Sequence, residues 1–127
     1  MATFHRFEDI ESWQKARRLA RRIYELTGNG DFARDFGLRD QIRRAAVSIM
    51  SNIAEGFERE SRREFARFLD IARASTGEVR SQLYIACDIG YLDECTFETL
   101  KEQCEEIARL LSGLIRYLRN NSKSPST

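Results

Sequence analysis

The strongest constraint on the fold is a pair of amphipathic segments that flank a short stretch near residue 56. Before that stretch, apolar residues recur every three or four positions, at Leu38, Ile42, Ala45, Ala46, Ile49 and Ile53. After it, a second stripe comprises Phe65, Phe68, Leu69, Ala72, Thr76, Val79, Leu83 and Ala86. At about 100° per residue, each set falls on one side of a helix. Residues 38–89 are therefore predicted to form two antiparallel helices joined by a tight turn.

The residues between the two stripes carry the signals of a helix end and a helix start. Gly56 is predicted to end the first helix in the left-handed conformation, which glycine adopts at little steric cost. Ser61 and Glu64 match the capping box, in which the hydroxyl and the carboxylate each accept from a free backbone N–H. Two roles are open for Asn52 and Glu55. They bind a ligand or partner, or they satisfy backbone groups and pair with an arginine near the turn. We favour the second, structural role.

Two further helices are predicted on either side of this pair. The first begins near Asp9, which is its predicted cap. The last begins near residue 94, where either Asp93 or Thr96 can serve as the cap. Gly90 is expected to stop the helix before it, because a glycine just past the last turn favours termination.

Short loops between amphipathic helices favour antiparallel neighbours, and no segment alternates apolar and polar residues as a strand would. The fold class is therefore predicted to be all-α, an up-down-up-down antiparallel four-helix bundle. The helices are predicted over residues 9–27, 38–56, 61–89 and 94–119. We expect one domain over residues 1–119 and a disordered polar tail over residues 120–127. Phe32 and Phe36, in the predicted loop 28–37, are expected to cover one end of the bundle.

Composition argues against several classes of protein. The chain has 21 basic and 20 acidic side chains, and a net charge of +1 gives no general attraction for nucleic acid or membranes. Cys87, Cys95 and Cys104 lack metal-ligand spacing, and His5 is the single histidine. The sequence has no cofactor motif, no pairing of nucleophile and base, and no apolar run that could span a bilayer. We expect a cytoplasmic non-enzyme with no metal, no cofactor and no membrane partner.

Two of the predicted helices carry more apolar surface than one core stripe requires. The additional residues lie to one side of the stripes, at Val47, Met50, Ala54, Ile71, Ala74, Ile85 and Ile89. They form either a wide edge of the core or a contact between subunits. We favour the subunit contact, because a monomer rarely leaves a continuous apolar band in water.

Basic residues are concentrated in two places. The first predicted helix carries Lys15, Arg18 and Arg22 close together, with Arg17 and Arg21 beside them. These form either a solvated helix face, which we favour, or a phosphate-binding surface. The central turn is followed by Arg59, Arg62, Arg63 and Arg67. The antiparallel order brings this second group close to the basic C-terminal half of the last helix, which contains Arg109, Arg116, Arg119 and Lys123. One end of the bundle is therefore expected to be positive.

The order of these motifs resembles a known family. The segments that carry the resemblance are residues 7–16, 36–38, 41–49, 51–56, 61–65, 67–69 and 90–92. Over residues 7–119 the chain is similar to the small bacterial four-helix-bundle proteins encoded in intervening sequences of 23S ribosomal RNA genes, also called S23 ribosomal proteins. The resemblance implies a ring-like homopentamer without an established biochemical role. A more distant likeness is to the accessory variability determinant protein of diversity-generating retroelements, a basic pentamer that binds nucleic acid and a reverse transcriptase.

Two functions follow as hypotheses. The first is a non-enzymatic homo-oligomer, five-fold by the resemblance, that binds RNA or DNA through the two basic groups described above. The second is a protein-interaction scaffold, or an accessory subunit for a nucleic-acid enzyme.

Overall fold

The computed structural model of the protein describes residues 4–122, and these residues form an all-helical bundle, as predicted. A 3₁₀ turn, Phe7–Asp9, precedes the first α-helix. The α-helices are α1 (Glu11–Thr27), α2 (Gly30–Arg34), α3 (Phe36–Phe57), α4 (Arg62–Asp88) and α5 (Glu94–Ser122). The described residues contain no strand. Helix α5 runs three residues past its predicted end, and the remainder of the predicted tail, including Lys123, lies outside the described residues.

The four long helices run antiparallel to their neighbours. Helix α3 packs between α1 and α4, and α5 packs against α4 and α1. Side-chain contacts between α3 and α4 occur in opposite order along the two helices. Ser48 Oγ lies 3.0 Å from Ser75 Oγ, and Gln82 Nε2 donates to Gln41 Oε1 over 3.5 Å. The start of α4 therefore lies beside the end of α3.

The predicted apolar stripes form one continuous core. Of the two central stripes, Leu38 and Phe65 are half-buried and all other members are buried. Leu19 of α1 and Ile107 of α5 are also fully buried, so each long helix contributes its apolar face. Burying a side chain of this size contributes about 1.5–3 kcal/mol, which makes the stripes the main source of stability. Among the described helices, none has the length and apolar character needed to cross a bilayer.

The predicted loop between α1 and α3 contains the short helix α2, which the sequence analysis missed. Gly30 begins it with a φ of 63°, a left-handed value that favours glycine. Phe32 is buried and stacks on Tyr91 with ring centroids 4.9 Å apart, so it covers the end of the bundle as expected. Phe36 does not cover the end of the bundle, because its side chain is 63% exposed. The expectation for this pair is therefore correct for Phe32 and wrong for Phe36.

The three remaining predicted helix signals have different outcomes. Asp9 does not cap α1, because it belongs to the 3₁₀ turn, where its carboxylate lies 3.6 Å from Arg6. The residue before α1 is Ile10, which provides no side-chain hydrogen bond. Asp93 caps α5, since its Oδ1 accepts from the Thr96 N–H over 2.7 Å. Gly90 ends α4 with a φ of 87°, and the N–H groups of residues 90 and 91 return to carbonyls of the last turn, as in a Schellman motif.

Gly56 does not have the predicted left-handed conformation. It lies inside α3, which ends one residue later, and the residue after α3, Glu58, has a right-handed helical backbone. Among the described residues, only Gly30 and Gly90 have a positive φ. Gly56 is instead buried against α4, where an added Cβ would lie 2.6 Å from the Cβ of Phe68. The close approach of α4, rather than a turn, requires glycine here.

Half of the predicted capping box is present at the start of α4. Ser61 Oγ accepts from the Glu64 N–H over 3.0 Å. The Glu64 carboxylate does not reach back to the backbone, because it accepts two hydrogen bonds from the Arg67 guanidinium, at 3.1 and 3.2 Å. The ion pair with Arg67 therefore takes the place of the predicted hydrogen bond from the Ser61 N–H to the Glu64 carboxylate.

Candidate interaction surfaces

Four arginines surround the turn between α3 and α4, and we call this surface the arginine end: Arg59, Arg62, Arg63 and Arg67. Aromatic rings hold three of them. The guanidinium carbons of Arg59 and Arg67 both lie 4.7 Å from the ring centre of Phe68. That of Arg62 lies 5.6 Å from the ring of Tyr117 in α5. Stacking on a ring face leaves the N–H donors at the guanidinium edge available to an anion.

The four arginines of the arginine end differ in their ion pairs. Arg67 is neutralised by Glu64, and its hydrogen bonds and charge hold the pKa of the Glu64 carboxyl below its ordinary value. Within the described residues, no carboxylate lies within 4.0 Å of a guanidinium nitrogen of Arg59, Arg62 or Arg63. These three guanidinium groups are therefore available to an external anion, beside the exposed carboxylates of Glu58 and Glu60 in the same turn.

The basic residues predicted on α1 do not join the arginine end. Lys15 Nζ lies 3.4 Å from Glu106 and 3.7 Å from Glu11, so two carboxylates surround it. Arg22 lies 3.6 Å from Glu25, one helical turn before the end of α1. Because α1 begins beside the C-terminal part of α5 and runs away from the arginine end, Arg22 lies towards the opposite end of the bundle. Arg18 alone among these three predicted residues has no ion pair within the described residues.

The predicted apolar band on α4 is exposed, and we call it the isoleucine face: Ile71, Ala74, Ile85 and Ile89. The three isoleucines are 40%, 46% and 49% exposed. Glu78 lies within this stripe, seven residues from both Ile71 and Ile85, and is exposed. The face lies on the side of α4 that adjoins α3, because it is continuous with Ser75, which contacts α3.

The additional apolar residues of α3 lie on a different side of the molecule. Val47, Met50 and Ala54 share a stripe with Arg43, which bonds α1 through Thr27 and stacks 4.4 Å above the ring of Tyr24. Val47 is 36% exposed and lines a groove with Tyr24 and Arg44. We call this surface the α1–α3 face. The seven predicted interface residues therefore occupy two surfaces. One lies where α4 adjoins α3, and the other lies where α3 adjoins α1.

The similarity to known proteins extends over most of the bundle and is not confined to one surface. The family model described as 23S rRNA-intervening sequence protein matches residues 8–113. The chain belongs to this family. A crystal structure of a protein of unknown function from the S23 ribosomal protein family of Bacteroides thetaiotaomicron is similar to it, with 28% identity and a TM-score of 0.75. The similarity covers 82% of this chain and 97% of that one. No curated protein matches the chain.

Asn52 and Glu55, the two polar residues predicted to have a structural role near the turn, differ in their surroundings. Asn52 Nδ2 donates to the backbone oxygen and to Oγ of Ser48, both over 2.9 Å. It therefore satisfies a backbone carbonyl of its own helix. Glu55 is exposed, and no arginine within the described residues lies within ion-pair distance of it. The expected pairing of Glu55 with an arginine near the turn is absent.

The three thiols of the chain lie in different environments. Burial raises the pKa of Cys104 in the core to about 12. Burial, with the nearby Glu94 and Asp88 carboxylates, also raises the pKa of Cys87, whereas Cys95 is exposed. Within the described residues, no group of three or more histidine, cysteine and acidic side chains could hold a metal ion. The raised pKa values of Cys87 and Cys104 lower the fraction of reactive thiolate at these two positions.

Two features of these surfaces were not predicted from the sequence. The stacking of Arg59 and Arg67 on Phe68 depends on the direction in which the chain leaves the turn, which no local pattern indicates. The position of Glu78 within the apolar band could have been predicted from its seven-residue spacing to Ile71 and Ile85.

Proposed function

We propose that the protein is a non-catalytic homo-oligomer that binds nucleic acid at the arginine end. The observation that carries this proposal is the set of three guanidinium groups, on Arg59, Arg62 and Arg63, without a carboxylate partner in the described residues. Guanidinium groups recognise phosphates with planar, multiple hydrogen bonds, and each phosphate that is neutralised releases counterions. The same surface offers no pattern for reading base edges, so the proposed contact is to the backbone and not to sequence.

The exposed isoleucines support the proposed assembly. A side chain of this size gains about 1.5–3 kcal/mol when it is fully removed from water. Ile71, Ile85 and Ile89 are together a large apolar surface for a monomer of this size. A ring would repeat the arginine end once per subunit around its axis and would concentrate the positive field. The likeness to a pentameric family favours five-fold symmetry.

The first test of this function is the mass of the protein in solution. Light scattering at micromolar concentration is expected to give the mass of a closed oligomer. An Ile71→Asp, Ile85→Asp variant is expected to lose that mass while its circular dichroism stays helical. A monomeric mass for the unmodified protein would remove the assembly from the proposal.

The second test is binding of single-stranded and duplex RNA, measured by fluorescence anisotropy at several salt concentrations. Reversing the charge of Arg62 and Arg63 to Glu is expected to weaken binding by about tenfold or more at low salt and to flatten the salt dependence. A matched control reverses Arg34 and Lys101, which pair with Asp31 and Glu98 away from the arginine end. It changes the net charge equally and is expected to bind RNA almost normally.

A protein-interaction scaffold is the second candidate, and the exposure of Phe36 favours it. This aromatic ring is 63% exposed at the end of the bundle opposite the arginine end, with the Arg39 guanidinium 4.7 Å from its centre. Exposed aromatic side chains beside arginine are common anchors in protein interfaces. If the intact oligomer binds neither RNA nor DNA even at low salt, this scaffold function replaces nucleic-acid binding. Its partner would then include a nucleic-acid enzyme encoded nearby.

A further inference from the structure

We infer that the isoleucine face of one copy docks on the α1–α3 face of the next copy, with Glu78 meeting Arg17 across a head-to-tail contact. This inference rests on the assembly proposed above and specifies which surfaces make it. The inference rests on two largely apolar surfaces of the chain, one of which contains an acidic residue and the other basic residues.

The isoleucine face is an apolar stripe with a single acidic group at its centre. Ile71, Glu78 and Ile85 are spaced seven residues apart on α4, so they share one side of the helix. The two isoleucines are 40% and 46% exposed. No cation within the described residues lies within ion-pair distance of the Glu78 carboxylate. A surface that covers these isoleucines also covers Glu78, and a buried carboxylate without a cation is strongly unfavourable. The covering surface should therefore supply a positive group near the middle of the stripe.

The α1–α3 face has that character. Trp13, Arg17 and Tyr24 occupy one side of α1, at spacings of four and seven residues. Tyr24 is 46% exposed and adjoins Val47 of α3. Arg17 lies between the two aromatic residues along the helix, with its guanidinium carbon 5.8 Å from the centre of the Trp13 ring. No carboxylate within the described residues lies within ion-pair distance of Arg17.

Other charged groups strengthen the contrast between the faces. On the α1–α3 face, Arg43 is fixed by Thr27 and Tyr24, and Arg44 lines the groove beside Val47. The acidic residue that lines the groove, Asp40, is already paired with Arg39. The face is therefore positive overall and can accept a carboxylate.

The charges also select against symmetrical pairing of either face with itself. In a two-fold contact between isoleucine faces, the central Glu78 of each copy would approach its equivalent. In a two-fold contact between α1–α3 faces, the arginines would do the same. Like charges brought together in a desolvated contact are destabilising, so the two unlike faces are the favoured partners. A contact between unlike faces is heterologous, and it closes into a ring when the rotation between subunits permits.

The decisive experiment mixes two variants, each of which has lost one face. The first variant is Ile71→Asp, Ile85→Asp, which removes the isoleucine face. The second is Val47→Asp, Arg17→Glu, which removes the α1–α3 face. Each variant alone is expected to have a monomeric mass by light scattering, with helical circular dichroism. An equimolar mixture is expected to give a species of two chains, because one intact face of each kind remains and the complex cannot grow.

The outcomes separate this inference from the proposed assembly. If the unmodified protein is an oligomer and the mixed variants stay monomeric, the head-to-tail pairing is overturned and the assembly stands. If either variant alone forms dimers, the contact is symmetrical and the pairing is overturned as well. If the unmodified protein is a monomer, both the proposed assembly and the head-to-tail pairing are excluded.

A charge exchange provides a second test that does not alter the apolar residues. Glu78→Arg is expected to raise the dissociation constant of the oligomer by about tenfold or more. Adding Arg17→Glu to the same chain is expected to restore the dissociation constant to within about threefold of the original value. A matched control, Glu102→Arg, makes the same charge change on α5 and is expected to assemble normally. Failure of the double exchange to restore assembly would exclude the contact between residues 78 and 17.

Discussion

Gly56 and Phe68 bring α3 and α4 together at the arginine end, and the contact leaves no room for a side chain on Gly56. A Cβ at this position would lie 2.6 Å from the Cβ of Phe68 and 3.1 Å from the ring of Phe65. The same Phe68 carries the guanidinium groups of Arg59 and Arg67 on its ring. The glycine therefore sets the spacing of the two helices and, through Phe68, the position of two arginines of the proposed nucleic-acid surface.

The first prediction concerns this contact. Gly56→Ala is expected to destabilise the protein by about 1–3 kcal/mol, because the methyl group forces α4 away from α3. Gly77→Ala is the matched control, since Gly77 is exposed in the middle of α4 and a Cβ there would have no neighbour within 4 Å. It is expected to stabilise the protein by roughly 0.5–1 kcal/mol, because alanine favours a helix over glycine. Urea unfolding measures both changes, and equal effects would show that Gly56 is not closely packed.

The second prediction concerns the start of α4. Ser61→Ala is expected to cost about 1 kcal/mol, because the Glu64 N–H loses its acceptor. Ser81→Ala, at an exposed site in the interior of α4, is expected to change the free energy of unfolding by less than about 0.5 kcal/mol. Thermal or urea unfolding of the two variants compares them directly. A Ser61→Ala variant as stable as the parent would mean that the cap contributes nothing.

The third prediction is an acid-dependent loss of stability at the start of α5. The Thr96 N–H donates to Asp93 and holds the pKa of that carboxyl below its ordinary value of 3.8. The unfolded chain therefore binds this proton more readily. The stabilising contribution is fully present above about pH 4 and is lost as the pH falls through the lower pKa of the folded state.

Asp93→Asn tests this linkage, because asparagine keeps a capping oxygen and does not titrate. The difference in urea midpoint between the parent and the variant is expected to shrink as the pH is lowered from about 7 to about 3. Glu64, whose pKa is also lowered, contributes with the same sign in both proteins and cancels from the comparison. A difference that stays constant with pH would contradict the assignment.

The fourth prediction concerns thiol reactivity. Cys95 is exposed and is expected to react first with a disulfide reagent in the folded protein. Cys87 should react more slowly, because its raised pKa lowers the fraction of thiolate. Cys104, buried and with a pKa raised to about 12, should react only after unfolding. Cys95→Ser is expected to remove the fast phase, and labelling of Cys104 in the folded protein would contradict the burial.

The helices and their buried faces could be predicted because the relevant pattern is local. The apolar residues of α3 recur at helical spacing, and each of them except the half-buried Leu38 became part of the buried core. The observed α3, Phe36–Phe57, differs from the predicted range by only a few residues. Ser61 and Asp93 were also recognisable, because a capping side chain acts on a backbone group three residues away.

Other assignments failed either because they depend on distant parts of the chain or because the local pattern fits more than one structure. Phe32 and Phe36 are similar in sequence terms, yet only Phe32 meets Tyr91, whose hydroxyl donates to Asp35 over 2.9 Å across a separation of 56 residues. Asp9 is a residue type that often caps helices, but it belongs to the 3₁₀ turn that precedes α1. The short helix α2 was missed because its glycines and asparagine also match a loop.

The sequence by itself determined that the chain is an all-helical bundle, since a period of 3.6 residues specifies both the helix and the side that it buries. Only the tertiary structure decided which neighbour each remaining side chain meets. Gly56 has its role because α4 passes close to it, and Val47 and Ile85 lie on separate faces because α3 stands between them. These relations depend on the directions in which whole helices cross, and no local spacing in the sequence encodes those directions.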